Sequence, residues 1–506
     1  MRLNIKILIT AAVAVSAVVV ACNKKLDIFN TNSPTTDSYF KTAAELRNGV
    51  NAAYSTMRSG NLIGREWFFT HDMRGGETNT GGPQLEAPRA ELLKSAAPNP
   101  SNSVMTSVWI GSYQIINRTN VVITKAPDVK DDVAARDVVV GEALFLRAWA
   151  YFELVSQWGD VPLYTEPVTT VTGFKAKSPA ADVYAQIIKD LTDATTKLPD
   201  TKSKDGHATR DAAWFLLGRV QMQKGDYAAA KTALTNLYGK YILVDNFLDN
   251  FDGDVKVADD VKATGHEFNG ESIFEAVFVD KGNADFNWGY TGEGPTANAT
   301  IMRSQEYGKV WGNVVPSDAI LDEFDNTDPR YKFTIYETGD SILTYNSTKV
   351  GITLADDKMN VAASTRKGVT MKRIYRKYSV LDWNNEDFHP DGINQRLFRY
   401  AEVLLMLAEC EAETGTPANA AKYINEIRDR KSVMMPHVVT ATHDDAMKAV
   451  MHEKAVEMAG EEVANIDILR WRAKSYFPAL RADPKPGQVA QFPIPASETS
   501  ANPLIK

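Results

Sequence analysis

The stretch AAWFLLGRVQMQKGDYAAAKTAL, residues 212–234, decides the fold. Trp214, Leu217 and Gly218 open a helical apolar run, Gly225, Asp226 and Tyr227 interrupt it, and Ala230 and Ala233 begin a returning helix. Small residues on the facing sides let two helices approach closely, because interaxial distance follows side-chain size at the contact. The stretch therefore reads as a helical hairpin. One hairpin cannot bury its own apolar face, so more of them are expected beside it.

The spacing of Trp214, Leu217 and Gly218 is the W-x2-L-G of tetratricopeptide repeats. A second pair lies at RYAEVLLMLAECEAETG, where Ala401, Leu405, Ala408 and Ala412 share a face, followed by NAAKYINEIRDR and a further helix over 444–460. Upstream, Leu46, Val50, Ala53 and Met57 mark a helix beginning near Thr42. A strong helical pattern over 105–156 carries the stripe Phe145, Ala148, Phe152 and Val155 and ends at Gly159 and Pro162. Val183, Ile187, Leu191, Ala194 and Leu198 repeat in another helix, with Ser178 as N-cap and Pro179 at its first position. Residues 241–398 differ: Gly, Asp and Asn alternate with short β-like runs such as SIFEAVF and MKRIYRKY. The chain reads as a mostly α fold, with tetratricopeptide-like helix pairs forming a superhelical scaffold and a large irregular insertion carrying loops and short strands. The helical parts are 39–240 and 399–506, and the insertion is 241–398.

The N-terminus has a different logic. Arg2 and Lys6, an apolar stretch from Ile7 to Val20, and Ala21 make residues 1–21 a secretory signal peptide. Val19, Val20, Ala21 and Cys22 resemble the bacterial lipobox, so Cys22 is the expected lipidation site and polar residues 22–38 a tether; an ordinary signal peptide with a chance cysteine is the alternative. With 2 cysteines and one of them acylated, a disulfide framework is excluded, and Cys410 reads as a small buried hydrophobe. The net charge of −8 argues against nucleic acid or anionic lipid as charge-driven partners. The 9 tryptophans and 19 tyrosines, several in loop-like stretches, point to a neutral ligand surface instead.

Placed in order along the chain, KKLDI after Cys22, GVNAAY ending at Tyr54, EALFLRAWAYFELVSQWGDVPL, RYAEVLLMLAEC, INEIRDR, DILRW and FPIPASE resemble the landmarks of the SusD/RagB family of outer-membrane lipoproteins. The chain departs from that pattern at Ala464 and Asn465, where the family usually shows Arg and an aromatic, and it stops soon after Asn502 and Pro503. The resemblance implies a non-catalytic, lipid-anchored protein of the cell outer membrane, facing outward. Its implied partner is a SusC-like TonB-dependent transporter, and its implied ligand an oligosaccharide, or a peptide as in the RagB branch. No cofactor and no metal are expected.

A sugar ring offers C–H groups on its face and hydroxyls on its rim, so binding it without chemistry calls for flat aromatics edged by polar groups. Three stretches qualify, the first in an irregular region, 60–100, expected to hold a ligand loop near 64–90. EWFFTHDMRGGETN supplies Trp67, Asp72, Arg74, Glu77 and Asn79. DFNWGYTGEG supplies Trp288 and Tyr290, and SQEYGKVWGN supplies Tyr307 and Trp311 at helical spacing. Trp109, Trp149, Trp158, Trp214 and Trp471 lie in helical landmarks and read as core. The basic run from Lys372 to Lys377 reads as a solvated strand face rather than an anion site. An enzyme is the competing class, but HEKAV lacks the second histidine of a zinc motif and GGETNTGG lacks the ending of a phosphate loop. A scaffold protein of the transporter complex with no ligand site of its own is the other alternative.

Overall fold

The computed structural model describes residues 36–253, 255–257, 261–263, 266–279, 300–308, 311–342, 352–378 and 392–505. The signal peptide, Cys22, Trp288 and Tyr290 lie outside the described residues. The first long helix, Ala43–Met57, starts where the sequence places it: Thr42 Oγ1 accepts from Glu45 N–H at 3.2 Å and Glu45 Oε2 accepts from Thr42 N–H at 2.9 Å. Leu46, Val50, Ala53 and Met57 are its buried stripe.

The helical pattern over 105–156 resolves into two helices, Ser103–Lys125 and Val133–Trp158. Pro127 occupies the short turn between them, and Asp132 accepts from Ala135 N–H to cap the second. Gly159, at φ +74°, ends it. The next helix, Ala180–Lys197, begins one residue later than the sequence suggests, because Ser178 joins a short strand and Pro179 becomes the N-cap.

The hairpin of Trp214, Leu217 and Gly218 is Arg210–Lys224 and Tyr227–Thr235, turned by Gly225 at φ +85° and capped by Asp226, which accepts from Ala229 N–H at 3.0 Å. A Cβ on Gly218 would stand 2.5 Å from Leu234 Cγ, so this glycine is what allows the two helices their close approach. The second pair is Tyr400–Glu413 and Pro417–Arg428, followed by His443–Met458 and Ala464–Ala473. Trp109, Trp149, Trp158 and Trp471 are buried as expected, and Trp214 packs half-buried against the same core. Cys410 is free and buried, and burial pushes its thiol up. Among the described residues no helix is long and apolar enough to cross a membrane.

The insertion contributes paired strands to this helical body. Ser272–Ala276 runs antiparallel to Gln395–Arg399, with bulges at Phe398 and Arg399. Phe398 stacks on Phe215 at 4.3 Å, and Phe274 meets Phe145 edge-on at 5.1 Å, so the pair packs on the first helical part.

At the end of that pair lies a buried lattice of charges. Arg399 reaches Glu271 and Glu457 at 2.8 Å and Glu461 at 2.6 Å. Arg430 holds Glu271 at 2.7 Å and Glu457 at 2.8 Å, while Arg330 joins Glu457 to Glu453 and Asp328. Burial pushes the Glu457 carboxyl up, but Arg430, Arg399 and Arg330 together hold it well below the usual carboxylate range. Of the basic run Lys372–Lys377, Lys377 reaches this lattice, Arg373 is buried outside it, and Lys372 and Arg376 are half-exposed. Arg373 and Lys377 are buried, because Glu337 and Glu461 meet them at 3.0 and 2.7 Å. Arg399→Met would leave Glu457 and Glu461 short of a counter-charge, and a loss of about 3–5 kcal/mol is expected in urea unfolding. A loss under about 1 kcal/mol would show that the lattice is dispensable.

Candidate ligand-binding surface

The stretch 60–100, expected to be irregular, contains two helices, Glu66–Asp72 and Ala87–Lys94. The first is buried all round its circumference, from Trp67 to Asp72. That places most of its expected ligand residues inside. Trp67 packs in the core, tilted against His71 at a ring distance of 4.9 Å. Asp72 accepts from the Tyr307 hydroxyl at 2.5 Å, and Tyr307 is itself enclosed by Phe68, Tyr375 and the Arg303 guanidinium. Burial raises both the Asp72 carboxyl and the Tyr307 phenol, so this bond stays protonated and neutral on the tyrosine side. The helical spacing of Tyr307 and Trp311 breaks at Gly308, since the helix is only Arg303–Tyr307.

Glu77 is also interior. Its carboxylate accepts from Gly460 N–H at 3.1 Å, while its carbonyl accepts from Ser317 N–H at 2.9 Å and from the Tyr375 hydroxyl at 2.8 Å. Burial pushes its carboxyl up to about 8. It thus ties the short strand Thr78–Thr80, which pairs antiparallel with Val314–Pro316, to the scaffold at Gly460. Arg74 lies under the chain at Val489 and Phe492, donating to the Val489 carbonyl at 2.6 Å.

Asn79 and Trp311 remain at the surface, on two segments that run side by side. Asn79 is exposed opposite Val315 in the strand pair, and Trp311 is half-buried four residues earlier on that partner chain segment. Gly81 N–H donates to the Asn313 carbonyl at 3.0 Å, and a Cβ on Gly81 would fall on the Gly312 carbonyl, so the two segments touch backbone to backbone. Gln84 Nε2 donates to the Trp311 carbonyl at 2.9 Å and to that of Asn360 at 3.3 Å, drawing a third segment into the corner. The Arg65 guanidinium stands 5.9 Å from the Trp311 ring centre and is fixed by Glu306 at 2.6 Å and Glu86 at 3.0 Å. Arg65, Gln84 and Asn360 escaped the sequence reading. Arg65 and Gln84 lie inside the stretch 64–90, so their nearness to the chosen residues was the available signal. Asn360 carried none.

A profile described as the SusD family matches residues 270–491, one described as starch-binding and associating with the outer membrane matches 89–222, and a tetratricopeptide repeat profile matches 212–241. The chain belongs to the SusD family. Among its relatives, SusD-like protein P2 of Formosa agariphila is 26% identical over 490 residues, covering 92% of both chains. SusD-like protein P25 of the same organism is 22% identical over 504 residues, covering 93% of this chain and 92% of the relative. A SusD superfamily protein of Bacteroides vulgatus has the same fold, with TM-score 0.71 and 23% identity over 92% of this chain and 99% of that one. So has a laminarin-binding SusD-like protein, at TM-score 0.71 and 24% identity, with the same coverage. Surface glycan-binding protein A of Bacteroides thetaiotaomicron, solved with laminarihexaose, follows at TM-score 0.70 and 20% identity, covering 91% of this chain and 98% of that one.

The SusD-like chain also has a separate cleft of about 360 Å³ beside Ser103–Lys125, lined by Tyr113, Asn117, Tyr164, Phe174 and Glu498 among others. It shares no residue with the Trp311 corner. Asn117 there accepts from Val168 N–H at 3.1 Å, and Tyr113 donates to the Pro162 carbonyl at 2.8 Å.

Glu77 gives a pH test of this geometry. An unfolded Glu77 ionises near 4.5 and the folded one near 8, so the stability tied to its protonated form is full below 4.5 and is lost as pH rises towards 8. Glu77→Gln keeps the acceptor for Gly460 without the ionisation. Its melting temperature minus that of the wild type is expected to grow from pH 5 to pH 8.5. A difference that does not change with pH would place Glu77 in a solvated setting.

Proposed function

We propose that this SusD-like protein is a non-catalytic lipoprotein of the outer-membrane surface, lipid-anchored at Cys22, that binds oligosaccharides and passes them to a SusC-like TonB-dependent transporter. The observation that carries the reading is the Trp311 corner: a half-exposed indole beside the Arg65 guanidinium, on a segment whose backbone Gln84 holds and which pairs with the strand bearing exposed Asn79, on a scaffold shared with glycan-binding proteins. Trp311 and Asn79 are the proposed contacts among the described residues, with Trp288 and Tyr290 as further ones. Trp67, Asp72, Arg74, Glu77 and Tyr307 take a supporting role in this proposal, since their side chains are engaged inside.

A β-1,3-linked gluco-oligosaccharide is the first ligand to try, because the laminarin-binding protein and the laminarihexaose complex share the fold. In calorimetric titration Trp311→Ala is expected to weaken binding about tenfold, the scale of one lost ring contact. Unchanged affinity for every glycan bound by the wild type would remove Trp311 from the site. Trp67→Ala is expected to cost about 3–5 kcal/mol of stability as a core truncation, which separates support from contact. Cys22→Ser is expected to shift the protein out of the membrane fraction and to abolish labelling by a radioactive fatty acid. Retention of the label would place the lipid elsewhere.

A further inference from the structure

The cleft beside Ser103–Lys125 plays no part in the Trp311 corner, yet it is built like a site. Tyr113, Ile116, Asn117 and Asn120 border it from a single side of that helix, because they recur at helical spacing. The facing wall is the chain 164–174, which is held at both ends. Asn120 donates to the Tyr164 and Glu166 carbonyls at 3.0 Å, Asn117 accepts from Val168 N–H, and Asn502 donates to the Lys175 carbonyl at 2.9 Å. The cavity of about 360 Å³ is therefore formed before anything enters it, and its size is that of small-molecule sites.

Its lining is mostly apolar. Ile116 is buried, Phe174 is half-buried, and Tyr113 and Tyr164 stand edge to face at 5.9 Å, an arrangement that accepts a further flat ring. Val168 and Val171 are 45% and 94% exposed. Single exposed valines are ordinary, but two bordering one apolar cavity make a surface whose covering by an apolar ligand is favourable.

Few polar atoms are left over. Asn120 is used up, since its Oδ1 accepts from Arg147 at 2.8 Å, and the Tyr113 hydroxyl is given to Pro162. What remains is the Asn117 Nδ2 and Glu498 Oε2: Asn117 uses only its oxygen, and Glu498 gives only Oε1 to Asn502, at 3.1 Å, with no ion pair among the described residues. A sugar carries oxygen on nearly every carbon and would leave most of it unpaired against the valines, Ile116 and Phe174. An organic anion would meet the Glu498 carboxylate. We propose that this cleft binds a neutral aromatic alcohol of the phenol or naphthol class, its ring among Phe174, Ile116 and the two tyrosines, its hydroxyl donating to Glu498 and accepting from Asn117. The site is independent of the Trp311 corner and of glycan binding.

Crystals of the wild-type protein soaked in 6-bromo-2-naphthol and measured at the bromine edge locate the ligand. An anomalous peak inside the cleft is expected, and its absence overturns the proposal. In calorimetric titration 2-naphthol is expected to bind with a dissociation constant on the order of 100 µM. The anion 2-naphthoate is expected to bind about tenfold more weakly or not at all, and Glu498→Gln to abolish that preference. Thr170 is exposed and borders the cavity, so Thr170→Trp fills it without threatening the fold and is expected to weaken 2-naphthol about tenfold. Equal binding of naphthol and naphthoate by the wild type, unchanged naphthol affinity in Thr170→Trp, or displacement of naphthol by methyl glucoside would each overturn the proposal.

Discussion

The bidentate grip of Arg399 on Glu461, shared with Glu457 and Glu271, is the constraint on which the rest of the molecule depends. Arg399 ends the strand Gln395–Arg399 and stands at the start of the helix Tyr400–Glu413. Its partners come from the neighbouring strand's approach and from the end of His443–Met458. Ion pairs of this kind are poor evidence of net stability, because desolvation offsets the attraction; apolar residues of similar shape often do as well. Their effect here is on arrangement. A chain with several unmatched buried charges in any other register has one low-energy way to close, and that way fixes the insertion against the helical scaffold.

The same lattice reaches the candidate ligand surface through a short piece of chain, 457–462. Lys377 donates to the Glu457 carbonyl and to Glu461, Arg303 bonds the Gly460 carbonyl and Glu462, and Gly460 N–H donates to Glu77. Glu77 leads directly into Thr78–Thr80, and that strand holds the segment bearing Trp311. Four or five residues of backbone therefore connect the charge lattice to the exposed corner. Of the expected ligand residues that are interior, Glu77 is the middle of that connection, and Asp72 and Tyr307 pack against its Arg303. Preorganising a flat ring at a surface needs such a backing, since a ring free to swing gives up entropy on binding.

The helical hairpins were legible because their signal is local. Trp214, Leu217, Gly218 and the Gly225–Asp226 turn lie within one short window, and apolar spacing with turn residues is enough to place them. The helix Glu66–Asp72 was not, because a helix buried on every side has no amphipathic period to read, and its His71 and Asp72 look like loop chemistry. From sequence, Arg74 and Glu77 read as surface groups because charges are usually exposed. What reverses this is a partner far along the chain, such as Gly460 for Glu77, or Glu461 for Lys377, which spacing does not reveal. Asn79 and Trp311, by contrast, stay at the surface, as expected of flat and polar groups in glycine-rich stretches.

Hydrogen exchange resolved to single amides tests the central claim most directly. If the lattice and the corner form one unit, Gly460 N–H and the amides of Gln395–Arg399 exchange only through global unfolding, with the same free energy and denaturant dependence as those of Tyr400–Glu413. Exchange of Gly460 through a small local opening that denaturant does not affect, while the helices stay protected, would contradict the account.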